Sequence, residues 1–115
     1  MSKLLKTIDQ LAGAECSVLM KGSRPVGSTF PKEKIIYIKL ALQSFGHIFK
    51  QVDRLNTSYD EAHIQLNNQR MVCFRLPEGF YISLLSKECE VQKAQKTIRL
   101  SRENLIQLLA TYPNR

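Results

Sequence analysis

The sequence has few cysteines and no pairing among them. Cys16, Cys73 and Cys89 are odd in number, and no two stand at CxxC spacing. That excludes a disulfide scaffold and a thiolate zinc site. Cys16 and Cys73 lie inside apolar runs, where a thiol packs as a small hydrophobe. Cys89 stands between Glu88 and Glu90, whose charges disfavour a reactive thiolate. A membrane-length apolar run is also missing. The greasiest segment, Ile35 to Phe49, is broken by Lys39 and flanked by Lys32, Lys34 and Lys50. The opening MSKLLKTIDQ reads as an amphipathic helix start and lacks the apolar centre of a signal peptide. A cytoplasmic location without a membrane span is the expectation.

A catalytic constellation is absent as well. No glycine-rich phosphate loop occurs. His47 and His63 have no Cys, Asp or Glu at metal-ligand spacing, so each reads as a surface or interface polar residue. Asp60 and Glu61 are adjacent, and adjacent residues on a strand point to opposite faces, so the pair reads as a solvated strand start. The chain is therefore expected to be no enzyme, with no catalytic residue, no cofactor and no metal. No repeat, linker or low-complexity stretch divides it, so residues 1–115 form one expected domain.

The sequence does carry a net charge of +7. The excess is concentrated in residues 1–50 and 91–115, while residues 51–90 are mildly acidic. Such a pattern suits a nucleic-acid footprint, solvated helix faces or an acidic protein partner.

Periodicity gives the elements. Leu4, Leu5, Ile8, Leu11 and Ala12 recur at helical spacing after Ser2, a good N-cap, and Gly13 is a natural stop. AECSVLMKGSRPVGST reads as a β-hairpin turning at Gly22-Ser23, with Cys16, Val18 and Met20 alternating against Glu15, Ser17 and Leu19. Pro25 and Gly27 place its second strand at a sheet edge. Pro31 opens a long helix over 32–52. Residues 61–67 form a strand with Ala62, Ile64 and Leu66 dry and His63, Gln65 and Asn67 wet. RMVCFRLP and FYISLL supply two more strands, the latter apolar on both faces and so central. The tail from Ser86 to Pro113 is helical, either as one helix threading Val91 to Tyr112 or as two, the second capped by Ser101. The order α-β-β-α-β-β-β-α predicts an α/β fold: a three-layer α/β/α sandwich around a five-stranded antiparallel sheet.

The long helix carries more apolar surface than one sheet face needs. Ile35, Ile38, Leu42, Phe45, Phe49 and Val52 form one stripe, and Ile36, Tyr37, Leu40, Ala41 and Ile48 form a broader band beside it. In a monomer Ile36, Tyr37 and Leu40 would face water. Burying one such side chain is worth roughly 1.5–3 kcal/mol, and two-fold symmetry doubles the gain. Burial of both bands beneath the tail is the competing reading, but the tail has its own sheet face to cover.

The element order, the KGSRPVGST hairpin and the long second helix resemble the roadblock/dynein light chain family, over about residues 2–112, in a profilin/roadblock-like arrangement. The family's usual acidic residue before the hairpin glycine is replaced here by Lys21, and the tail is longer and more basic. The resemblance implies a homodimer whose long helices lie side by side and whose sheets join through the strand at 61–67. It places Ile36, Tyr37, Leu40, His47, His63 and Ile64 at the dimer interface. It also implies a small Ras-like GTPase or a motor-complex subunit as partner, regulated without a required arginine finger. Arg24, Arg54, Arg70 and Arg75 are finger candidates by residue type alone, Arg24 being the most finger-like in its turn. Arg24, Lys32 and Lys39 are the expected partner-binding residues. The alternative is a basic nucleic-acid-binding protein using Lys32, Lys34, Lys39 and Lys50 with Lys93, Lys96, Arg99 and Arg102, and with Phe80 and Tyr81 as a stacking platform.

Overall fold

Strands that are apolar on both parities pull helices onto both faces of a sheet. The computed structural model describes residues 2–55, 59–66 and 68–111. The expectations placed on Asn67, Tyr112 and Pro113, and on the capping hydroxyl of Ser2, lie outside the described residues. The elements run α1 (Ser2–Ala12), β1 (Ala14–Lys21), β2 (Arg24–Ser28), a 3-10 turn (Lys32–Lys34), α2 (Ile35–Arg54), β3 (Glu61–Leu66), β4 (Gln69–Leu76), β5 (Gly79–Leu85), α3 (Val91–Leu100) and α4 (Arg102–Ala110). The sheet order is β2-β1-β5-β4-β3, antiparallel throughout. This is the expected three-layer sandwich.

Two cores lie on its two faces. On one, Cys16, Val18, Met20, Met71, Cys73, Ile82 and Leu84 meet Ala41, Phe45 and Phe49 of α2. On the other, Leu19, Val72, Phe74, Tyr81 and Leu85 meet Leu5 and Ile8 of α1, Ala94 and Ile98 of α3, and Leu105 and Leu109 of α4. The sequence presents β1 as an alternating strand, yet Cys16 to Met20 are buried without interruption. The reason is position. β1 lies between β2 and β5, and α1 covers the face that carries Ser17 and Leu19. A polar link fastens this helix: Thr29 Oγ1 donates to Asp9 Oδ2 at 2.7 Å and accepts from the Ser17 amide at 2.8 Å. Burial pushes the Asp9 carboxyl above its ordinary pKa, and the Ser17 and Thr29 hydroxyls work against that rise.

The tail resolves into two helices that break at Ser101. The break is not the expected cap, because Ser101 Oγ donates back to the Thr97 carbonyl at 3.0 Å and makes no capping bond to α4. Such a back-bond within a helix bends it. The thiols of Cys16 and Cys73 are buried, and burial raises the Cys16 pKa to about 12. Cys89 is raised too, chiefly by burial beside Ala12 and Gly13 rather than by its flanking carboxylates; Lys93 pulls it down and Glu90 pushes it up.

Two glycines test the packing in opposite directions. A Cβ on Gly79 would stand 1.8 Å from the Met20 carbonyl oxygen, a backbone atom that cannot rotate away. Gly46, inside α2, has open space around its missing Cβ. Gly79→Ala is expected to destabilise by about 3 kcal/mol. Gly46→Ala should stabilise by about 0.5–1 kcal/mol through helix propensity. Urea denaturation followed by circular dichroism measures both.

Candidate functional site

At about 100° per residue, α2 presents three directions. Ala41, Phe45 and Phe49 face the sheet and are buried. The expected sheet stripe is therefore rotated. Ala41, assigned to the outer band, is fully buried, whereas Ile35, assigned to the sheet, is 47% exposed. Phe45 and Phe49 stand four and eight residues after Ala41, so all three share one helix face. Ile35 stands on the flank next to β2 instead.

The outer face holds Ile36, 61% exposed, and Leu40, 41% exposed, with exposed His47 on the same side. Tyr37 does not join them. It sits only one turn before Ala41 and is half-buried, packed against the core beneath α2. Ile64 packs against that same core from β3. It thus lies on the α2 side of the sheet, on the edge strand that follows the helix.

His63 lies on the opposite sheet face, away from Ile36, Leu40 and Ile64. Its Nε2 is 2.7 Å from Glu61 Oε2, and Arg70 Nη1 is 3.3 Å from its Nδ1. With Nε2–H donating to Glu61, Nδ1 accepts from Arg70. Gln95 Nε2 also donates to Glu61, and Arg99 donates to Glu61 Oε1 at 2.7 and 3.2 Å. Glu61 is thus a half-buried clasp between β3 and α3, its side chain 18% exposed, and the reading of the pair as a solvated strand start holds for exposed Asp60 but fails for Glu61. Gln95 and Arg99 stand four residues apart on α3, a spacing visible in sequence. Which strand they meet depends on tertiary register, and no local signal carries that.

The arginines divide in the same way. Arg75 is held by Asp53 through Nη1 and Nη2, each at 3.1 Å, and by the Tyr59 carbonyl, with its guanidinium 4.6 Å above the Phe49 ring. Arg70 is on His63. Neither extends as a finger. Arg24 pairs in register with Lys21, whose ammonium reaches the Leu109 carbonyl under the α4 face. Arg24 therefore lies on the opposite sheet face from Lys39 and is not brought together with it. Lys32 and Lys39 are exposed beside and on α2. Phe80 is stacked on Phe49 beneath α2 at 6.0 Å, and Tyr81 is fully buried on the other face, so the two form no stacking platform. Among the described residues no cluster of three His, Cys, Asp or Glu side chains is placed to hold a metal ion. No helix among them is long and apolar enough to cross a membrane.

Burial opposes ionisation of Glu61, but hydrogen bonds from Gln95, His63 and Arg99 outweigh it and hold the carboxyl below its ordinary 4.5. The ionised form therefore stabilises the fold. That contribution is complete above pH 4.5 and is lost as the pH falls through the lower folded-state value. Glu61→Gln should cost about 1 kcal/mol at neutral pH, modest because Arg99 is largely exposed. Its deficit against the wild type should shrink to nothing in acid, as read from urea midpoints over a pH series.

No protein-family model matches the sequence, and no curated protein matches it. Solved structures do match. MglB of Myxococcus xanthus aligns over 96% of this chain and 95% of its own, at 9% identity and a TM-score of 0.78. The gliding protein MglB of Thermus thermophilus covers 96% and 88%, at 11% identity and 0.79. A roadblock/LC7 domain from Streptomyces avermitillis covers 92% and 94%, at 14% identity and 0.60. The sandwich around α2 is the same architecture, so the chain has the roadblock/LC7 fold.

Proposed function

We propose that the chain is a non-enzymatic homodimer that docks and regulates a small Ras-like GTPase. One observation carries this reading. Ile36 and Leu40 stand in water on the outer face of α2, on a helix that packs beside the open edge strand β3. A second copy related by a two-fold axis would cover both residues twice over. Their remaining exposure is worth about 1–2 kcal/mol per side chain, enough to matter against the entropy of association. His47 borders this patch and Ile64 lines the strand beside it. His63, engaged with Glu61 and Arg70, is left out of the interface.

The fold supports the choice of partner, since it is shared with a bacterial gliding protein and a roadblock/LC7 domain. The resemblance of the hairpin and long helix implies GTPase binding. Two α2 helices side by side would make a continuous platform on which one GTPase could sit. Regulation would then act by shaping the bound GTPase, as the family resemblance implies; the engagement of Arg70 and Arg75 with internal partners supports this for those two arginines. The chain would work inside the cell, where such GTPases are found.

Light scattering coupled to gel filtration tests the dimer. The wild type is expected at twice its 13.2 kDa mass at micromolar concentration. Leu40→Glu places a charge in both halves of the seam and should weaken association by about a hundredfold or more, through nearly 3 kcal/mol. A well-behaved wild-type monomer would remove the reading. Anisotropy with random oligonucleotides at low salt separates the nucleic-acid alternative, which requires binding that falls steeply as salt is added.

A further inference from the structure

α2 has a second apolar flank that the proposed dimer leaves uncovered. Between β2 and the first half of α2 lies a cleft of about 520 Å³. Its apolar lining is Met20, Pro25, Phe30, Ile35, Ile38 and Leu42, with Ser23 and Ser28 at its margin. That volume falls within the ~300–1,000 Å³ typical of binding pockets. On the helical wheel Ile35, Ile38 and Leu42 lie roughly two-fifths of a turn from Ile36 and Leu40. The two apolar surfaces thus flank the helix on separate sides.

Two features say what fits there. The first is the wall. β2 is the end strand of the sheet, and its outer edge can pair with a short extended chain, Pro25 offering only its carbonyl and the bulge opposite Leu19 and Met20 limiting the length of the added ladder. Pro25 and Ser28 are the register partners of Met20 and Val18, both on the α2 side, so a strand added to β2 would aim alternate side chains into the cleft. The second is charge. Among the described residues, Lys39 is the one ionisable side chain in the lining. From Ile35 to Val52 the helix carries Lys39 and Lys50 and no carboxylate, and exposed Lys32 precedes it. Of the nearby acids, Glu15 is already paired with Lys34 at 2.5 Å, which leaves Glu33. A second copy would set this same lysine-bearing face, Lys39 with Lys32 beside it, or another surface of the same chain against the cleft, whereas an acidic segment complements Lys39 directly.

We infer that the β2–α2 cleft is a docking site for an extended acidic segment of a partner protein. The segment adds to the edge of β2, sets apolar side chains on Phe30, Ile35 and Leu42, and turns a carboxylate to Lys39. This site is independent of the homodimer seam and stands without it.

Selection of a phage-displayed random peptide library against the full chain tests it. Enriched peptides are expected to be acidic with alternating apolar residues. Their amide-shift footprint should fall on β2, Phe30 and the first half of α2. Lys39→Glu and Ile35→Asp, both changes at exposed positions, should each weaken a selected peptide by about tenfold, and added salt should weaken it further. Failure to enrich any peptide overturns the inference. So does enrichment of neutral or basic peptides, a footprint on Ile36 and Leu40 instead, or affinity that ignores both substitutions.

Discussion

The fold depends on one constraint: a sheet whose inner strands are apolar on both sides and so must be covered twice. β1, β4 and β5 bury both parities. Three short helices share the cover on one face, and α2 alone supplies it on the other. A single cylinder lying on five strands touches the sheet along one line. Ala41, Phe45 and Phe49 occupy that line. The residues to either side of it, Ile35 on one flank and Ile36 and Leu40 on the other, keep substantial exposure because the helix is round and the sheet broad. Both surfaces to which a binding role is assigned arise from that geometry.

The opposite face is closed by polar devices as well as by apolar packing. Asp9 ties α1 to Thr29, whose hydroxyl also accepts from the Ser17 amide, and Glu61 ties β3 to α3 through Gln95 and Arg99. A carboxyl drawn out of water needs hydrogen bonds in its place: Asp9 Oδ2 accepts from Thr29, and the Glu61 oxygens accept from Gln95, His63 and Arg99. The consequence reaches the candidate interface. With His63 and Glu61 occupied beneath α3, β3 offers its backbone edge and its α2-side residue Ile64 for association, and not the histidine.

Much of this was legible in the sequence, because it is written in local periodicity. The α-β-β-α-β-β-β-α order, the Gly22-Ser23 turn and the exposure of Ile36 and Leu40 follow from spacing and turn chemistry alone. What was not legible depends on which element lies over which. The helical wheel gives the width of the apolar arc on α2 but not the direction of the sheet, so Ala41 and Ile35 exchange places and Tyr37 tucks inward. Strand alternation separates His63 from Ile64 but is silent on α3 crossing behind the strand, so Glu61 reads as solvated. Ser101 marks the helix break, yet its hydroxyl turns back to the Thr97 carbonyl rather than capping α4, with Ile98 and Leu105 buried on either side of the break.

The central claim is that the outer face of α2 is covered by another copy of the same chain. Isotope-filtered nuclear Overhauser spectroscopy on an equal mixture of carbon-13-labelled and unlabelled protein reads this directly. A two-fold dimer through this face gives contacts between protomers from the methyl groups of Ile36 and Leu40. Their absence at concentrations where the mixture has fully equilibrated, or contacts confined to the β2 hairpin, would contradict it.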